Sequence, residues 1–77
     1  MKVQIFLKTP LFRGKYGAER NQELDAAVIE VHGTATASAG GLDLKVSKLF
    51  DSKGNETEVP FSSIFLPMAK IDYYVVL

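Results

Sequence analysis

The chain has 77 residues, no cysteine and one histidine, so it is a single domain (1–77) with neither disulfides nor a thiolate metal site to brace it. A chain this short buries only about 60% of its extended surface, which leaves self-association as the common remaining source of stability. Lys plus Arg equals Asp plus Glu at 9 each, and there is no signal segment and no apolar run approaching ~20 residues, so the expectation is a soluble cytoplasmic protein with no membrane association.

The balanced charge is unevenly placed. Residues 1–20 hold Lys2, Lys8, Arg13, Lys15 and Arg20 against Glu19, so most of the acids fall in the rest of the chain. A basic arm on an acidic body, or a solvated loop with no partner, follows from this distribution.

Period-two alternation dominates from the first residues. Val3, Ile5 and Leu7 alternate with Lys2, Gln4 and Lys8, with Phe6 the apolar residue on the second face, which predicts a strand over Lys2–Lys8. Pro10 ends it in this reading, because proline cannot donate to a ladder. Thr9–Asp25 carries Pro10, Gly14, Gly17 and Asn21 and reads as a long loop or arm, with a short helix from Ala18 to Ala27 as an option.

The second strand is expected over Ala26–Ala37, with Ile29, Val31, Ala35 and Ala37 on one face and Glu30, His32, Thr34 and Thr36 on the other. Gly33 in its middle permits a sharp bend that lets one strand serve both halves of a small barrel. Gly40 and Gly41 supply a turn, and Leu42, Leu44 and Val46 alternate with Asp43, Lys45 and Ser47 in a third strand ending near Phe50. Asp51–Asn55 is a polar hairpin connection in which Gly54 or Asn55 takes positive φ. A fourth strand begins near Glu56, is interrupted at Pro60 and resumes through Ser62–Leu66. Pro67–Lys70 turns into a last strand, Ile71–Leu77. There Ile71, Tyr73 and Val75 are expected on one face and Tyr74 and Val76 on the other, so both faces need cover and a second subunit would supply it. The predicted fold is all-β: a small, five-stranded, strongly bent antiparallel barrel assembled into a homo-oligomeric ring.

Two segments, Val31–Val46 and Ser62–Leu77, resemble the two motifs of the Sm and LSm family, to which bacterial Hfq belongs. Val31, Gly33, Ala35 and Ala37 match the strand of the first motif, and Leu42, Leu44 and Val46 match its later apolar positions. Phe65, Leu66, Ile71 and Tyr73 match the second motif. Ala39 and Asp43 stand where the family has Asp and Asn, and Pro67 and Met68 stand where it has a charged signature, so the family's base-binding groups are largely replaced. The resemblance implies a ring closed by pairing the fourth strand of one subunit with the fifth of the next, with Ile64, Leu66, Ile71, Tyr73, Tyr74 and Val76 at the contact. It also implies single-stranded RNA, or DNA, bound near the pore by Ser38, Gly40, Gly41 and Asp43 from one loop and by Lys70 from the other. Met68 either stacks on a base or fills a subunit contact.

The arm holds a separate signal. Phe12, Arg13, Lys15 and Tyr16 interleave aromatics and cations between glycines, a combination that stacks on bases and neutralises phosphates without reading base edges. An ordinary loop with Phe12 packed on the barrel is the alternative. Gly14–Gly17 also fits a GXXG loop, but the strand before it and Pro10 argue against the two helices such a loop joins. Catalytic signals are poor: His32 is a surface histidine beside Glu30, Ser62 and Ser63 have no nucleophile-elbow context, and no cofactor is implied. Two functions stay open: a nucleic-acid-binding ring, or a structural or protein-interaction module.

Overall fold

Val3, Ile5 and Leu7 recur at every second position, and in the computed structural model all three lie in the core. The structure describes residues 1–12 and 27–77, Phe12 by its backbone alone. Arg13, Lys15, Tyr16 and most of the optional helix, residues 18–26, lie outside the described residues; Ala27 opens a strand.

The described chain is all-β: β1 (Lys2–Phe12), β2 (Ala27–Ser38), β3 (Gly41–Asp51), β4 (Glu56–Thr57), β5 (Ser63–Pro67), a 3-10 turn (Met68–Lys70) and β6 (Ile71–Val76). Every ladder is antiparallel, in the order β4-β3-β2-β1-β6, with β5 on β3 beside the hairpin strand β4. Among the described residues the sheet therefore has an edge at β6 and another along β4 and β5. Among the described residues no helix is long and apolar enough to cross a membrane.

Among the described residues six strands stand where five were expected. Pro60 splits the fourth: β4 keeps only two residues against Leu49 and Phe50, and pairing resumes at Ser62, whose carbonyl accepts from Val46 N–H at 2.9 Å. Pro10 does not end β1, which runs on to Phe12. Between Phe6↔Glu30 and Leu11↔Val28 the β1–β2 register shifts, so Pro10 occupies a stretch where the ladder asks nothing of its missing N–H.

Three extra residues decide which face each side chain takes. Ile29 is passed over between Val28↔Asp51 and Glu30↔Phe50, and Ser47 between Gly33↔Val46 and His32↔Lys48. Each shift resets the alternation, so Val28 and Leu49 join the core. Asp72 does the same in β6, between Leu7↔Ile71 and Phe6↔Tyr73. The expected grouping of Ile71 with Tyr73 and Val75 is thereby corrected: Ile71 and Tyr74 pack on the core, whereas Tyr73 turns outward and stacks on Phe6 with ring centroids 4.7 Å apart.

The core is apolar throughout, built from Val3, Ile5, Leu7, Val28, Val31, Ala35, Leu42, Leu44, Leu49, Leu66 and Ile71. Burying one such aliphatic side chain stabilises by about 1.5–3 kcal/mol. Fixing each residue's backbone costs about 1–2 kcal/mol, so a core of this size leaves a narrow margin. Gly33 and Gly41 are required by close approach. A Cβ on Gly33 would drive into the Lys45 carbonyl oxygen, and one on Gly41 into that of Leu66. The bend expected at Gly33 is thus a place where β2 and β3 press backbone against backbone.

At the Asp51–Asn55 hairpin, Gly54 takes φ 87°. The Asp51 carboxylate accepts from the backbone N–H groups of Lys53 and Asn55, each at 2.9 Å. The Asn55 bond foremost, and then the one from the Lys53 backbone, hold this carboxyl below its usual range.

Candidate functional site

Two turns meet at one end of the sheet. Gly40, at φ 80°, closes the β2–β3 turn, and its carbonyl accepts from Met68 N–H at 2.9 Å, which fastens the Met68–Lys70 turn beside Ser38–Gly41. The close packing of Gly41 on Leu66 and Pro67 brings β5 in at the same place. Four of the expected binding residues, Ser38, Gly40, Gly41 and Lys70, are therefore gathered from segments about thirty positions apart. Lys70 is partly engaged: its Nζ donates to Thr9 Oγ1 at 2.7 Å, tying the turn to β1.

Asp43 stands further along β3, facing outward between Thr36 and Phe65. With Thr34, Lys45 and Ser63 these residues line an open groove of about 630 Å³ on the outer side of β2, β3 and β5. Its chemistry is mixed, with hydroxyls, one carboxylate, one ammonium and an exposed phenyl ring. Phe12 closes β1 opposite Ala27 rather than lying in an arm. Arg13, Lys15 and Tyr16 are outside the described residues.

The residues expected at a subunit contact divide by burial. Leu66 and Ile71 sit in the chain's own core, and Ile64 and Tyr74 pack partly against it. Tyr73 and Val76 are exposed, together with Val75 and Leu77, so the β6 edge carries a run of uncovered apolar surface.

On the outer face of β1, β2 and β3 the alternation left His32 and Glu30 as surface residues. His32 Nε2 donates to Glu30 Oε2 at 2.6 Å, and the imidazole lies 4.7 Å from the Phe50 ring. Sequence reading did not find that Phe6 and Tyr73 stack, nor that Lys2, Lys45 and Lys48 share this face. The alternation placed each on an outer face, but the register between strands, which sets their mutual distances, is not written in any one strand. Among the described residues no group of three or more His, Cys, Asp or Glu could hold a metal ion.

No family model matches the chain, and neither a curated protein nor a solved structure does so.

Proposed function

We propose that this chain is a self-assembling small-barrel module, divergent from the Sm-like proteins, whose homo-oligomeric ring binds single-stranded nucleic acid, RNA in preference to DNA, and catalyses nothing. The observation that carries the reading is the meeting of the Ser38–Gly41 and Met68–Lys70 turns on a sheet with two open edges. Strand order and the close approach at Gly33 are what a strongly bent sheet requires, and they support the barrel. Among the described residues β5 and β6 are each paired on one side only, so joining β6 of one copy to β5 of the next would satisfy both edges. The same joint would cover Val75 and Val76. Repetition around a ring would then multiply a single lysine, Lys70, into a ring of cations.

The test is the mass in solution by light scattering, with and without short oligo-U and oligo-A. A multimer that carries an oligonucleotide agrees with the reading, and affinity should fall steeply with added salt as counterions are released. The exposed apolar edge at Tyr73, Val75 and Val76 also suits strand addition by another protein. A monomer that ignores both oligonucleotides would favour that second reading.

A further inference from the structure

Cross-strand pairing aligns the outward side chains of β6, β1, β2 and β3 in three rows. The first is Tyr73–Phe6–Glu30–Phe50 and the second Val75–Gln4–His32–Lys48. The third runs Lys2–Thr34–Lys45, with Leu77 beside Lys2 through its backbone. One end of the face is aromatic and the other basic. Along β1 the distance from Phe6 to Lys2 is four residues, about 13 Å.

Within this grid Lys2, His32, Thr34, Ser47, Lys48 and Leu77 line a hollow of about 290 Å³. Glu30 is the acid of the three rows, and its carboxylate is already held by His32. Ser47, the extra residue of β3, donates its hydroxyl to the His32 carbonyl at 3.2 Å, fixing the strand where Lys48 leaves it. The aromatic rings stand in two groups, Phe6 with Tyr73 and Phe50 with His32. Tyr73 is the outer member of its pair and is 55% exposed, so one face of its ring is open to a further stacking partner.

We infer that this outer face is a second nucleic-acid surface, distinct from the paired turns: bases stack against Tyr73 and the His32–Phe50 pair, and phosphates lie over Lys2, Lys45 and Lys48. Charge complementarity selects the occupant. Three ammonium groups at one end, outnumbering Asp43 beside Lys45 and with Glu30 held by His32, suit a polyanion, and the exposed Tyr73 ring at the other end suits one that carries flat rings. Single-stranded nucleic acid meets both conditions, and its recognition here would depend little on base identity. The inference rests on the nucleic-acid reading above but places the contact elsewhere, on the lysines and rings of the sheet.

The experiment is a fluorescence anisotropy titration of the full chain with short oligo-U and oligo-A at several salt concentrations, on Lys2→Glu/Lys48→Glu, Tyr73→Ala and Lys70→Glu. Removing two phosphate contacts should lower the slope of log affinity against log salt by about 1.4, at roughly 0.7 per contact for a single strand. Tyr73→Ala should weaken binding about tenfold. Amide chemical-shift mapping on the unaltered protein gives an answer independent of any variant: perturbations should centre on Lys2, His32, Thr34 and Lys48. Perturbations confined to Ser38–Gly41 and Met68–Lys70, with the double variant binding normally and Lys70→Glu impaired, would overturn this inference and leave the nucleic-acid reading standing. An unaltered protein that binds neither oligonucleotide would remove both. Polyglutamate that binds as tightly as the oligonucleotides would show a face that senses charge alone, and would overturn the stacking.

Discussion

The two faces of the same strands follow different rules. Inward, β1, β2 and β3 present Val3, Ile5, Val31, Ala35, Leu44 and Leu49, all buried and all aliphatic, with no buried polar group among the described residues. Outward, the alternate positions of those strands carry Phe6, His32, Glu30, Phe50 and three lysines, grouped by type from one end of the face to the other. A face that only had to be soluble has no need of stacked rings. The inner face holds the fold, and the outer face with its neighbouring edge is where the proposed partner would bind.

That contrast breaks most readily on the inner side. Ile5→Ala removes a fully buried side chain and should cost about 2–5 kcal/mol in urea unfolding, enough to leave much of so small a protein unfolded. Gly33→Ala should cost about 1–3 kcal/mol or more, because the added methyl meets the Lys45 carbonyl and backbone must move. The outer face should be milder. Tyr73→Ala loses one exposed stack, about 0.5–1.5 kcal/mol by the same measurement. A loss at Tyr73 as large as at Ile5 would erase the distinction between the faces.

The Asp51 hairpin gives a smaller effect, visible in pH. Its carboxyl is held below the usual value of 3.8 in the folded chain, so the stability it contributes is present above that value and is lost as pH falls through the lower, folded one. Melting temperature followed across the acid range should therefore decline less steeply in Asp51→Asn; an unchanged acid limb would show that the hairpin bonds do not couple to folding. Smallest of all, Lys2→Glu/Lys48→Glu should leave stability within about 0.5 kcal/mol by urea titration, since both side chains are exposed and neither is part of the core.

The inner face was legible in part: β2 buries Val28, Val31 and Ala35, where Ile29, Val31, Ala35 and Ala37 were expected. Alternation in β1 named Val3, Ile5 and Leu7, and glycine placement marked both the close approach at Gly33 and the turn at Gly40. Pro60 correctly signalled an interruption, whereas Pro10 misled: whether a proline stops a strand depends on what its neighbour asks of it, and here the neighbouring register shifts. The outer face was less legible for a related reason. Single extra residues at Ile29, Ser47 and Asp72 reverse the facing of everything beyond them, and nothing in the composition of those residues marks them as extra. Tyr73 was accordingly grouped with Ile71, and the lysines that align across three strands were read one at a time. Of the residues expected to bind, Ser38, Gly40, Gly41 and Lys70 lie at two turns that their turn residues punctuate, whereas Asp43 lies along β3. The meeting of the two turns depends on the bond from Met68 N–H to the Gly40 carbonyl and on the close packing of Gly41 against Leu66 and Pro67, which no local pattern encodes.

The measurement closest to the central claim is the solution mass by light scattering, taken beside the same run on Val75→Lys/Val76→Lys. The account predicts a mass that is a closed multiple of 8.5 kDa for the unaltered chain and a shift toward 8.5 kDa when two charges are placed on the open β6 edge. An unaltered chain that runs as an 8.5 kDa monomer, or a multimer indifferent to both charges, would contradict it.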